Sequence, residues 1–120
     1  MKRLIFTPAL LVIGACSSAA EKKHGQLIAQ IEQRVQLPAG AERLARYARY
    51  YAINGNRVVA TYTTFVDPQV EHVSLATGHT RWIDDYRRMP LISDGGCSVV
   101  NVLYDPSKQK VEHVFCNGVA

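Results

Sequence analysis

The chain predicts an α+β fold: an N-terminal helix packed on an antiparallel sheet of consecutive hairpins, about five or six strands in all. Three observations carry this expectation. Leu27, Ile28, Ile31 and Val35 lie on one helical stripe. Asn54-Gly55 sits between two β-rich runs. Near the C-terminus, "CSVVNVLY" and "KVEHVFC" flank "DPSKQ", another strand-turn-strand pattern.

The helix falls in "GQLIAQIEQRVQLPAG". Gln26, Gln30, Gln33 and Arg34 lie off its apolar stripe, and Pro38 with Gly40 stops it. An amphipathic helix must bury its apolar face, by default on the domain's own sheet. The preceding "SSAAEKKH", residues 17 to 24, is small and polar and reads as a tether.

"AERLARYARYY" fits a helix through Leu44, Tyr47, Ala48 and Tyr51, but Asn54-Gly55 argues for a strand instead. A two-residue loop pairs Ile53 with Asn56, Tyr51 with Val58 and Tyr47 with Tyr62 on one face. The expected strands are Ala48 to Ile53 and Arg57 to Phe65, with a helical turn over 41 to 47 leading in. Asp67-Pro68 then interrupts the chain. "QVEHVSL" and "HTRWI" flank Ala76-Thr77-Gly78 as a second hairpin. "DDYRRMPLISDGG" is the longest irregular stretch, and such stretches carry function more often than strands do.

For the last hairpin, a tight turn at Asp105 to Lys108 sets Cys97 opposite Cys116. A bulge after that turn puts the two cysteines on opposite faces, so the register and a disulfide are expected to stand or fall together. "VDPQVEHV" (66 to 73) echoes "YDPSKQKVEHV" (104 to 114). A duplicated hairpin and a chance match of two short segments are both open.

The first 15 residues read as a secretory leader. Lys2 and Arg3 precede an apolar core, Leu4 to Ile13, followed by Gly14-Ala15. The core is shorter than the roughly 20 apolar residues that span a bilayer. Ile13-Gly14-Ala15-Cys16 resembles the lipobox of bacterial lipoproteins, and the resemblance covers residues 1 to 16 only. It implies a diacylglyceryl group on Cys16, cleavage before Cys16 and acylation of the new amine. Ser17 follows the cysteine, where an Asp would resemble an inner-membrane retention signal, and by that resemblance the periplasmic face of the outer membrane is expected. The expected organisation is a leader over 1–15, a lipidated tether over 16–24 and a single α+β domain over 25–120. The membrane, through lipid on Cys16, is the first expected partner.

Lipid on Cys16 leaves Cys97 and Cys116 as an even pair in an exported chain, which favours a disulfide. The formal charge of +4 includes Lys2 and Arg3 of the leader, so the mature domain is close to neutral. That balance and the export signal exclude nucleic acid as an expected partner.

Catalytic and cofactor signals are weak. A cysteine with His113 needs a thiolate, which a disulfide removes. His24, His72, His79 and His113 show no metal spacing, so neither a metal nor another cofactor is expected. Asp84, Asp85 and Asp94 read as a solvated charged loop. The most distinctive patch is Arg81, Trp82, Tyr86, Arg87 and Arg88, since Arg and aromatics are favoured interface anchors. The competing reading puts Trp82 in the core and pairs the arginines with nearby Asp. Three function classes follow: a non-catalytic envelope adaptor or structural partner, an inhibitor or immunity-type protein against a periplasmic enzyme, and a small glycan-binding domain or enzyme. The first is preferred, with an envelope protein as the partner class and no enzymatic activity.

Overall fold

In a computed structural model, residues 18 to 119 are described. Cys16 and the rest of the expected leader and lipobox lie outside them. The elements are α1 (Ala19–Arg34), β1 (Ala48–Asn54), β2 (Arg57–Thr63), β3 (Thr80–Trp82), β4 (Val99–Asp105) and β5 (Lys110–Cys116). Short 3-10 turns lie at Leu44–Arg46, Glu71–Val73, Tyr86–Arg88 and Gly96–Ser98. The five strands form one sheet in the order β3-β1-β2-β4-β5. The α+β class and the strand number match the expectation.

Helix α1 begins six residues before the apolar stripe suggests. Ser18 has extended backbone angles, and its hydroxyl accepts the Glu21 N–H at 3.2 Å. Ser at the cap with Glu three residues on is the pattern of a capping box, and the acidic side chain suits the positive end of the helix. Residues 19–24, expected as tether, are therefore helical. At the other end Val35 is extended, three residues before Pro38.

β1 and β2 form the expected hairpin, with its register moved by two residues. Ile53 pairs with Val58, Tyr51 with Ala60 and Arg49 with Tyr62. The turn residues are Gly55 and Asn56 rather than Asn54 and Gly55. Gly55 has φ +63, which glycine adopts without a Cβ clash. A shift of two leaves every side chain on its original face. The expected tyrosine face therefore survives the corrected register.

The second expected hairpin does not form. Glu71–Val73 is a 3-10 turn, and β3 pairs with β1 in parallel, Arg49 beside Thr80 and Tyr51 beside Trp82. The chain leaves β2, crosses the sheet and returns on the far edge of β1. The sheet is thus mixed, not made of consecutive antiparallel hairpins. The two "VEHV" segments also adopt different structures, a 3-10 turn in one and strand β5 in the other.

Between β4 and β5 the register breaks. Leu103 pairs with His113, but Tyr104 pairs with Val111, leaving Glu112 as the extra residue of a bulge. The reason lies in the spacing of the two valines. Val111 and Val114 are three apart, so an unbroken strand points them to opposite faces. The bulge turns both toward the helix side, where they pack on the core. Glu112 is left to pair with Arg57, which also reaches Asp105.

Leu27 and Ile31 of α1 pack on Tyr47, Tyr51, Tyr62, Tyr104 and the valines of β2 and β4. Each tyrosine hydroxyl in this core has a partner. The Tyr47 hydroxyl donates to the Cys97 carbonyl at 2.6 Å, and that of Tyr104 donates to Gln30 Oε1 at 2.9 Å. Tyr51 donates to Glu32 Oε1 at 3.0 Å, and its oxygen lies 3.0 Å from that of Tyr62. Burial pushes the Tyr62 hydroxyl up to about 12 and raises Tyr51 further. Arg49, 9% exposed, donates from Nε to Glu32 Oε1 at 2.6 Å and from Nη1 to the carbonyls of Leu44 and Tyr47. This network locks α1 to β1 with hydrogen bonds as well as apolar contact.

The other face of the sheet is covered only in part. Leu75, with Ile83 and Met89, packs on Ala48 and Tyr50 of β1. Tyr50 Oη accepts the Leu75 N–H at 3.0 Å. The long segment between β2 and β4 thus serves as a second layer over the β1 side.

Candidate functional site

The patch expected from sequence spans β3 and the 3-10 turn after it. The structure divides it. Arg81 pairs with Tyr50, and Trp82 pairs with Tyr51. Adjacent strand residues point to opposite faces. Trp82 therefore lies on the helix side, half-buried against the main core, and Arg81 lies exposed on the other. Because β3 is an edge strand, a groove of about 230 Å³ along its margin reaches both. Arg88, His72 and Glu71 line the same groove.

Trp82 is not a free aromatic platform. The His24 ring of α1 stacks on the indole with centroids 3.9 Å apart and planes 8° apart. One face of the indole is closed by this contact, which leaves a sugar ring no stacking surface there. Nothing in the local sequence announces the pair, since the two residues are 58 positions apart and meet only when the helix docks.

Both arginines of the turn are held by carboxylates. Asp85 caps the turn by accepting the Arg87 N–H at 3.0 Å. Its two oxygens also take Arg87 Nε at 3.0 Å and Nη2 at 2.8 Å, a bidentate pair. The Arg87 hydrogen bonds hold the Asp85 carboxyl below the usual carboxylate range. Arg88 Nη2 reaches Glu71 Oε1 at 2.6 Å, and the His72 ring nitrogen lies 3.1 Å from the Arg88 carbonyl. These contacts tie the Glu71–Val73 turn to the Tyr86–Arg88 turn. Arg81 has no ion-pair partner among the described residues. Tyr86 is 43% exposed. Trp82 thus contributes to the core and Arg87 and Arg88 are paired, while Tyr86 and Arg81 are exposed.

Cys97 and Cys116 form a disulfide with Cα atoms 4.6 Å apart. The register expected to bring them together is absent, because Cys116 sits opposite Val100. Cys97 reaches it from the Gly96–Ser98 turn, off the strand. Gly95 at φ +102 and Gly96 at φ +57 reverse the backbone there. A Cβ on Gly95 would stand 3.1 Å from Phe65. Asn117, just after β5, donates to the carbonyls of Ile92 and Asp94 and pins the incoming loop. The disulfide and the bulge therefore coexist, against the expectation that one excludes the other.

A hollow of about 690 Å³ lies apart from the arginine patch. It is bounded by Gly40, Glu42 and Arg46 on one side and Gly95 to Ser98 on the other. Ala45, Thr64, Thr77 and Val119 complete its lining. Among the described residues no group of three or more His, Cys, Asp or Glu side chains is placed to hold a metal ion. Among them, too, no helix is long and apolar enough to cross a membrane. Compared with protein-family models, curated proteins and solved structures, the chain matches none.

Proposed function

We propose that this chain is a lipid-anchored protein of the bacterial envelope, held at the periplasmic face of the outer membrane through Cys16. Its domain is a non-catalytic adaptor that docks an envelope protein through Arg81, Tyr86, Arg87 and Arg88, while Trp82 on the other face of β3 holds that edge to α1. The lipobox-like Ile13-Gly14-Ala15-Cys16 supports the address. The observation that carries the docking surface is the braced turn Tyr86–Arg88, which presents an exposed tyrosine followed by two arginines held by carboxylates. Side chains already held in place lose less freedom on binding. Pairing also cancels much of the charge of Arg87 and Arg88, so Tyr86 and the unpaired Arg81 are the anchors.

The address is tested by intact mass: Cys16→Ala blocks lipidation and leaves the protein unprocessed, and an unmodified Cys16 in the wild type refutes the assignment. The surface is tested with a photo-cross-linking residue in place of Tyr86 in living cells, with Ser107 as a distant control. Affinity for the captured protein is then measured with purified components. Tyr86→Ala and Arg81→Ala each weaken it by roughly 5- to 100-fold, the range of interface anchors. Affinity unchanged by both substitutions refutes the surface. Turnover of an envelope substrate that one side-chain change abolishes refutes the non-catalytic reading.

A further inference from the structure

We propose that the short, capped start of α1 holds one end of the domain, Lys22, Lys23 and the His24–Trp82 pair, against the phosphate layer of the membrane. The proposal rests on the reading of Cys16 as the lipid-bearing residue. Ala19 opens the helix three residues after that position. Three residues span at most roughly 11 Å when fully extended. The start of α1 then lies within roughly 11 Å of the acylated residue, close to the headgroup layer. A flexible tether over 17 to 24 would have allowed the domain to stand off, but residues 19–24 are helix.

The helix transmits this position to the sheet. Leu27 and Ile31 are buried in the core, and Glu32 is bound to Arg49 and Tyr51, so α1 does not pivot freely on the strands. The His24 ring lies on Trp82 at 3.9 Å, which fixes the β3 edge beside the first turns of the helix. The His24–Trp82 pair lies five residues beyond Ala19, roughly 7.5 Å along the helix, so the same short linkage limits how far Trp82 stands from the headgroups.

The chemistry of this end suits that location. Lys22 and Lys23 are exposed and have no ion-pair partner among the described residues. Glu21 is the acidic group of the first turn. Lysines beside an anionic leaflet are attracted to lipid phosphates. Trp82 is half-buried behind His24, so it marks the position of this end of the domain while the lysines supply the attraction. A protein that docks at Arg81 to Arg88 therefore meets this domain at the membrane surface.

Trp82 is the chain's one tryptophan, so its emission reports this edge alone. The mature lipidated protein is reconstituted into vesicles of phosphatidylethanolamine and phosphatidylglycerol that carry a nitroxide on the headgroup of a minor lipid. Flotation is measured in parallel. A second protein carries a flexible Gly-Ser spacer of about 20 residues between Ser17 and Ser18, whose end-to-end distance is roughly 25 Å. Both proteins float, the wild type is strongly quenched, and the spacer form recovers most of its emission. Flotation without quenching of the wild type overturns the proposal and leaves the anchor standing. Equal quenching of the spacer form overturns the role of the short linkage. Failure of the wild type to float overturns the Cys16 reading and this proposal with it.

Discussion

Replacing Arg49 by Met removes the charged centre of the network that fastens α1 to the sheet. The guanidinium makes three contacts: Nε to Glu32 Oε1 at 2.6 Å, and Nη1 to the carbonyls of Leu44 and Tyr47 at 2.9 and 3.3 Å. Methionine keeps much of the apolar stem but no donor. Breaking a buried ion pair by removing one partner costs about 3–5 kcal/mol. The Glu32 side chain retains 24% exposure, so water recovers part of its solvation. Its Oε1 also keeps the Tyr51 hydroxyl. These two facts bring the expected loss down to about 2–3 kcal/mol, a large share of the roughly 5–15 kcal/mol that holds a domain together.

Urea unfolding followed by far-UV circular dichroism reads this directly. With a slope near 1 kcal/mol/M for a small domain, the midpoint falls by roughly 2–3 M. The double variant Glu32→Gln/Arg49→Met removes the stranded carboxylate as well. It is expected to recover about 1 kcal/mol relative to Arg49→Met alone, since neighbours in one network are not additive. A loss below about 1 kcal/mol for Arg49→Met, or strict additivity of the two changes, refutes the assignment of this pair as the clamp between helix and sheet.

The Cys97–Cys116 disulfide closes a separation of 19 residues, and Cys97→Ser/Cys116→Ser lowers stability by about 3 kcal/mol on the loop-entropy argument; quantitative thiol labelling of the denatured, unreduced wild type refutes the bond. The Ser107 and Lys108 hydrogen bonds, with Arg57 nearby, hold the Asp105 carboxyl below its ordinary range. The resulting stabilisation is complete above about pH 4 and is lost as pH falls through the lowered value, so Asp105→Asn flattens the acid limb of the stability curve. An unchanged acid limb refutes it. Tyr62, raised to about 12, and Tyr51, raised further, stay neutral in the folded state. They stabilise it below about pH 10 and cease to as pH rises through their raised values. Phenolate absorbance is therefore expected to show at least two tyrosines that ionise only with alkaline unfolding, and six that titrate together near pH 10 in the folded protein refute it.

Local pattern by itself determined the face of α1, the two strands around Gly55, the two around Asp105 and the pairing of Cys97 with Cys116. In each case the signal lies within a few residues: a 3.6-residue period, a turn pair or an even cysteine count. Two further signals were local and legible. Ser18 and Glu21 stand at capping-box spacing, and Val111 and Val114 stand three apart in a strand, which requires a bulge if both are to reach the core. Tertiary structure alone decided the rest. The parallel placement of β3 depends on a crossing of the sheet that no alternation of side chains encodes, and its three residues are too short to carry a strand pattern of their own. The same placement split Arg81 from Trp82, because which edge a strand joins determines which face each of its residues meets. His24 on Trp82 and Arg49 on Glu32 join residues far apart in sequence, so their chemistry exists only once the helix is laid on the sheet. The disulfide shows both levels at once: the cysteine count points to the partners, and two left-handed glycines, not strand register, bring them within reach.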